Sequence, residues 1–304
     1  MRELYCVIMI NMNIPTKKLN SGFEIPVFGL GTWQMGGREE RNPDNDDKSD
    51  IEAIQRAIEA GITHLDTAEM YASGHTEELI GEAINNLDRN NLFLTSKVLD
   101  GNQTYDAVLQ AAERSMKRLK TDYLDLYLIH APDYAVHISE TIRAMDALVD
   151  QKLVKHIGVS NFSVKQFEQA QNSSHHKLVT NQLHYNLGIR EIEKNGALSY
   201  YQQHDVIVTA WRPLQKSIIL RDGAEMLRKI GEKYQKTPAQ VAINWLISQS
   251  NIVTMSTMRD KKHLEDNLDS VGWSLSEDDI EYLRKSFPNQ QQVSNVYPLS
   301  DRLW

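Results

Sequence analysis

From about residue 27 the chain alternates short apolar or β-branched runs with longer stretches whose apolar positions recur at helical spacing. That alternation specifies parallel strands joined by helical crossovers. Six strands read clearly: HLDTA at 64–68, LFLTSK at 92–97, LDLYLIH at 124–130, KHIGVSN at 155–161, LVTNQ at 178–182 and VIVTAW at 206–211. Weaker runs, GLGTW at 29–33 and IVTM at 252–255, complete eight, with residues 52–59, 76–86 and 107–119 among the intervening helices. Eight strand-helix units imply a single-domain α/β fold, a closed (β/α)8 or TIM barrel. Thr237-Pro238 sets proline at a helix start, ahead of the amphipathic AQVAINWLIS, which reads as packing.

The expected division is an N-terminal extension over 1–20 and a barrel over 21–304. The last stretch, 286–304, is expected to border the active site, with a conformation that pattern does not specify. The opening MRELYCVIMINM is interrupted by Arg2 and Glu3 and is too short and polar for a membrane span or a signal segment. The polar run REERNPDNDDKSD at 38–50 reads as a solvated loop; a calcium loop of the EF-hand type would want an oxygen ligand where Lys48 stands.

The 304 residues carry a net charge of -8, which argues against a nucleic-acid binder tracking phosphates. An anionic cofactor needs only a local cationic pocket. Cys6 is the sole cysteine, so no intrachain disulfide forms, and a reducing cytoplasmic setting fits. Gly29 and Gly31 begin like a dinucleotide fingerprint, but the third glycine position falls on Gln34. Walker, H-E-x-x-H and cysteine-rich zinc patterns are missing, and His175-His176 sits in a polar stretch expected to face solvent, so no metal is indicated.

In such barrels reactive groups cluster at strand C-termini, so polar residues that close apolar runs converge across the sequence. Asp66 closes one strand with Tyr71 shortly after it, Lys97 closes the next, and His130 the one after. Singly each has an ordinary reading: a helix cap, a half-buried aromatic, a surface charge, a core histidine. Lys97 fits its ordinary reading least, because an ammonium ending LFLTS is costly to bury without a carboxylate, and Asp66 is the available partner.

Five strings in order resemble the aldo-keto reductase superfamily: GITHLDTAEMYASGHTEELIGEAI at 61–84, LTSKV at 94–98, LYLIHAP at 126–132, GVSNF at 158–162 and NQLHYN at 181–186. The resemblance runs from about Gly22 to Asn267. It implies an NAD(P)H-dependent reductase of aldehydes or ketones. Tyr71 would be the general acid, Lys97 its assistant, held by Asp66, and His130 a donor to the substrate oxygen. A neighbouring ammonium is expected to draw the Tyr71 pKa below its reference near 10.

By the same resemblance Ser160, Asn161 and Gln182 would hold the nicotinamide carboxamide, with Thr32, Trp33 and Asp66 nearby. Trp211 would stack on the ring, and Leu214 belongs to the same AWRPL string. Arg212 replaces a usual serine and has two readings, a pyrophosphate contact or a surface ion pair. The stretch 254–267 corresponds to an adenosine-phosphate segment that includes Thr257, Met258, Arg259, His263, Asp266 and Asn267. Thr257 and His263 stand where lysine and arginine are common. NADPH is favoured, NADH stays open, and Arg259, Lys261 or Lys262 are candidates for a replacement cationic clamp. Asp266 and Asn267 would take the adenine amino group.

Trp33, Tyr71 and His130 would line the substrate site, with Met70 and residues 34–37 near. The expected partner is a small-molecule aldehyde or ketone, with no nucleic acid or membrane, and the chain a monomer or weak oligomer. Two competing readings remain: a nicotinamide-binding regulatory subunit on the same barrel, as in potassium-channel β subunits, and a metal-dependent barrel isomerase or hydrolase.

Overall fold

A computed structural model describes residues 13–304. The MRELYCVIMINM segment and Cys6 lie outside the described residues. Ten strands are present: β1 (Thr16–Lys18), β2 (Glu24–Pro26), β3 (Phe28–Gly31), β4 (His64–Asp66), β5 (Phe93–Val98), β6 (Leu124–Ile129), β7 (Val154–Ser160), β8 (Leu178–His184), β9 (Ile207–Trp211) and β10 (Ile252–Ser256). The last eight close into a barrel in which β10 pairs with both β3 and β9, and every neighbouring pair is parallel. The fold is a (β/α)8 barrel.

The helices are α1 (Asp47–Glu59), α2 (His75–Ile84), α3 (Tyr105–Leu119), α4 (Ile138–Asp150), α5 (Val164–Asn172), α6 (Glu191–Lys194), α7 (Ala197–Gln203), α8 (Ile218–Asp222), α9 (Ala224–Tyr234), α10 (Pro238–Ile247), α11 (Lys261–Leu268) and α12 (Glu277–Ser286). α1 starts five residues before the position that periodicity indicates. Asp46 caps it by accepting from the Ser49 N–H, and Asp47 and Asp50 favour the positive helix start. The polar loop therefore ends in helix, and Asp50 is buried, accepting from the Gly36 N–H at 2.9 Å. α10 begins at Pro238 inside a capping box made by Thr237 and Gln240, and all but its proline are buried.

Residues 13–20 are tied to the barrel. β1 pairs antiparallel with β2, and the hairpin carries Leu19, Phe23 and Ile25 into a buried cluster with Leu126, Leu128, Val179, Ile207 and Val253. Because β2 leads directly into β3, this cluster closes the N-terminal end of the barrel. The Lys17 ammonium donates to the carbonyls of Ile247 at 2.8 Å and Ile252 at 2.7 Å, tying the hairpin to α10 and β10. Burial pulls that lysine's pKa down to about 8. With one end plugged, the strand C-termini form the open end. Among the described residues no helix is long and apolar enough to cross a membrane.

Candidate active site

Asp66, the last residue of β4, and Lys97, the penultimate residue of β5, meet at the open end. The Lys97 ammonium donates to Asp66 Oδ1 at 2.7 Å, to the Thr67 carbonyl at 2.8 Å and to the Tyr71 hydroxyl at 3.4 Å. Lys97 is fully enclosed and Asp66 is 3% exposed. Gln182, from β8 across the barrel, donates through Nε2 to Asp66 Oδ2 at 2.8 Å, so both carboxylate oxygens are satisfied. Burial acts to lower the Lys97 pKa, but Asp66 and Tyr71 outweigh it and the net direction is upward. The side chain stays charged.

Tyr71 sits where the chain turns sharply. Ala72 and Ser73 have φ of 51° and 55°, and Gly74 follows at 90°. The turn is held from outside: the Ala72 N–H donates to the Arg38 carbonyl at 2.6 Å, and Ser73 N–H to that of Glu39 at 2.7 Å. Strained backbone persists where the surroundings over-determine it, as they do here. Trp33 lies edge-on to the Tyr71 ring at 4.9 Å between centroids, and His130 at 5.9 Å on an edge-to-face approach.

Burial is the largest influence on the Tyr71 phenol and raises its pKa. Lys97 opposes that shift, while Asp66 reinforces it. The expectation of a depressed pKa is therefore overturned, because enclosing the phenol outweighs the ammonium beside it and the Asp66 charge adds to the rise. His130 moves the other way, to about 3, through burial first and the Lys97 charge second. Its imidazole is neutral at physiological pH, and its Nδ1 has no hydrogen-bond partner among the described residues.

Ser160 and Asn161 follow from β7. Ser160 Oγ donates to the Gln182 carbonyl at 3.1 Å. Asn161, at φ 63°, donates to the His130 carbonyl at 3.1 Å and accepts from Trp211 Nε1 at 3.3 Å. Thr32 is buried and its hydroxyl donates to the Asp66 carbonyl at 2.9 Å. These residues thus form one connected hydrogen-bond network at the barrel mouth.

Trp211 is stacked on His184, 4.0 Å between centroids and 9° from parallel. His184 is a residue that sequence reasoning passed over although it stands inside NQLHYN. Its ring nitrogens bond Ser294 Oγ and Gln215 Oε1, each at 2.7 Å, so it links β8 to the C-terminal segment and to the turn after β9. The Arg212 guanidinium lies over the Trp211 ring at 5.4 Å and has no carboxylate partner among the described residues. Leu214 is partly buried against the core.

The 257–267 stretch disperses. Arg259 pairs with Asp50 at 2.7 Å and also bonds the Gln34 carbonyl, so it is already engaged. Asp266 accepts from the Thr237 hydroxyl and from Gln240 Nε2, both at 3.0 Å, and so serves the start of α10. Met258 and Asn267 are buried, while Thr257, His263, Lys261 and Lys262 are exposed. Lys261 faces Glu265 at 3.7 Å, and Lys262 has no ion-pair partner among the described residues.

The C-terminal segment crosses the residues that follow β6, β7 and β8. Glu191 accepts from the Ser294 and Leu299 N–H groups, and Trp304 Nε1 donates to the Asp133 carbonyl. The Trp304 ring packs 5.7 Å from both Tyr134 and Phe162.

A closed parallel barrel with polar residues gathered at its strand C-termini places the chain in the (β/α)8 class. The family model for the aldo/keto reductase family matches residues 27–287, and the chain belongs to that family. It is an NAD(P)H-dependent oxidoreductase acting on carbonyl groups. Methylglyoxal reductase YeaE of Escherichia coli (strain K12) is 34% identical over 269 residues, covering 87% of this chain and 92% of the relative. Glyoxal reductase of Bacillus subtilis (strain 168) is 33% identical, with 88% and 90% covered. Among solved structures, a thermostable aldo-keto reductase in complex with the inhibitor epalrestat aligns with a TM-score of 0.86 at 38% identity, covering 90% of this chain and 99% of the other. An aldo/keto reductase from Klebsiella pneumoniae in complex with NADP and acetate aligns at 0.80 with 31% identity, covering 94% and 99%.

Proposed function

We propose that the protein is an NADPH-dependent reductase of small reactive aldehydes, 2-oxoaldehydes among them, in which Tyr71 is the general acid. The observation that carries this reading is the enclosed Asp66–Lys97 pair set against the Tyr71 hydroxyl at 3.4 Å. Reduced nicotinamide supplies the hydride. The Tyr71 phenol, kept protonated by burial, gives its proton to the carbonyl oxygen as charge develops there. Neutral His130 orients that oxygen through a ring N–H.

The polar network fits a nicotinamide: Ser160, Asn161 and Gln182 offer amide and hydroxyl groups beside the flat indole of Trp211. Arg212, unpaired among the described residues, suits the phosphates better than a surface ion pair. The NADP-bound Klebsiella relative supports NADPH. Because Arg259 is engaged by Asp50 and Lys261 faces Glu265, Lys262 is the cation left among the described residues of this stretch to meet a 2′-phosphate. The names of the two bacterial relatives support a compact dicarbonyl substrate, and Trp33 supplies an apolar wall. The C-terminal segment, through Trp304, borders the same mouth.

The test is loss of reduced-nicotinamide absorbance with NADPH and then NADH against methylglyoxal, glyoxal and bulkier aldehydes and ketones. Fast turnover of the small aldehydes with NADPH is expected. Tight nicotinamide binding with no turnover of any carbonyl would make the barrel a sensor instead.

A further inference from the structure

At the closed end of the barrel, away from Tyr71, two histidines meet two aspartates. Asp146 and Asp150 lie one turn apart on the same face of α4, near the end that leads into β7. His175 and His176 lie in the loop that joins α5 to β8. His175 Nδ1 is 2.9 Å from Asp146 Oδ2, and its Nε2 is 3.2 Å from Asp150 Oδ2. His176 Nε2 is 2.9 Å from Asp150 Oδ1. One ligand atom each from Asp146, His175 and His176 lie within 4.8 Å of one another.

We propose that Asp146, His175 and His176 bind one divalent transition-metal ion of the zinc class, with Asp150 beside them as the outer-shell carboxylate that orients both imidazoles. Two features favour a ligand over a chance surface cluster. Asp146 is almost fully buried and its carboxylate is held in place by the Ser174 hydroxyl at 2.5 Å and the His175 N–H at 3.1 Å, the outer-shell support that orients metal-binding carboxylates. The two imidazole rings lie 4.4 Å apart and 41° from parallel, and one nitrogen of each lies within 4.8 Å of the other and of an Asp146 oxygen.

The donor set selects the metal. Two imidazoles with a carboxylate suit zinc, cobalt, nickel or copper, whereas calcium and magnesium prefer oxygen throughout. Metal–ligand bonds of about 2.0–2.2 Å set tetrahedral donors about 3.4 Å apart. Donors already within 4.8 Å of one another therefore need only small side-chain shifts, which the exposed His175 side chain allows. The ion would staple the end of α4 to the loop preceding β8. Its role is therefore in holding the barrel wall, apart from carbonyl chemistry.

The experiment uses the untagged full-length chain, stripped with a chelator and equilibrated separately with zinc and cobalt chlorides. Expected are one ion per chain, cobalt absorption bands of a low-symmetry nitrogen and oxygen site, and a zinc-dependent rise in the thermal midpoint. In the double variant His175→Gln, His176→Gln, affinity should fall more than about 100-fold, beyond the 10–100-fold typical of losing an outer-shell partner. Asp150→Asn, also exposed, should weaken binding without altering the fold, with carbonyl reduction as the control. No stoichiometric uptake, or equal uptake by the double variant, would overturn the site.

Discussion

Lys97 is enclosed on all sides, and its charge is tolerated because three oxygens surround it. Replacing it with methionine strands the Asp66 carboxylate in a low-dielectric site, which costs on the order of 3–5 kcal/mol. Chemical denaturation of Lys97→Met should show that loss together with a fall in turnover, and an unchanged midpoint would refute the ion-pair argument. The same surroundings set the pH behaviour. With the Tyr71 pKa raised and that of His130 lowered to about 3, neither group changes charge near neutrality. The kcat for reduction should then be flat from about pH 6 to about pH 9, because the phenol keeps its proton up to and beyond its reference near 10. A fall in kcat centred below pH 9 would show that Lys97 wins over burial. The partnership of Lys97 with Asp66 was legible in sequence from the cost of burying an ammonium, but the sign of the Tyr71 shift was not. That sign depends on how fully the phenol is enclosed and on the Asp66 charge that adds to the rise, and both are matters of three-dimensional packing.

Helices α2 and α3 pack so closely that Gly81 has no room for a side chain. A Cβ there would stand 2.2 Å from the Arg118 carbonyl oxygen and 3.1 Å from the Leu119 carbonyl carbon, both backbone atoms. Gly81→Ala should therefore force the pair apart and cost about 1–3 kcal/mol, read from the unfolding midpoint. A gain in stability, as expected for an unhindered helical glycine, would contradict the packing. The contact also bears on the site, since Glu77 of α2 bonds Ser96 beside Lys97 and pairs with Arg118 at 2.6 Å. At this scale the eight barrel strands were legible because each apolar run ends in polar residues. The hairpin β1–β2 was not, because three-residue strands carry too little alternation to register. Nor was the convergence of Asp146 with His175, which comes from α4 and the β8 loop lying side by side.

Acid should loosen the whole molecule earlier than its carboxylates alone would. His64 and His184 are buried, and burial lowers each pKa from 6.5 to about 4. Below pH 6.5 the unfolded chain takes up protons that the folded chain refuses, so the stability present above that pH declines as pH falls towards 4. The thermal midpoint should drop steadily across that window, and His64→Leu should flatten the slope; an unchanged slope would mean that His64 titrates freely in the folded protein. The plugged end and the open end divide the labour, with β1–β2 sealing the barrel and the C-terminal segment crossing the mouth. The course of that segment was unreadable in sequence because Glu191, His184 and Asp133, which anchor it, are spread across three other elements.

The central claim is that the Tyr71 hydroxyl delivers the proton. Its most direct test is single-turnover reduction of methylglyoxal by Tyr71→Phe, alongside NADPH affinity from Trp fluorescence. The account predicts a rate lower by about 10²- to 10⁴-fold with cofactor affinity nearly unchanged. A variant that reduces the aldehyde at the wild-type rate would contradict it.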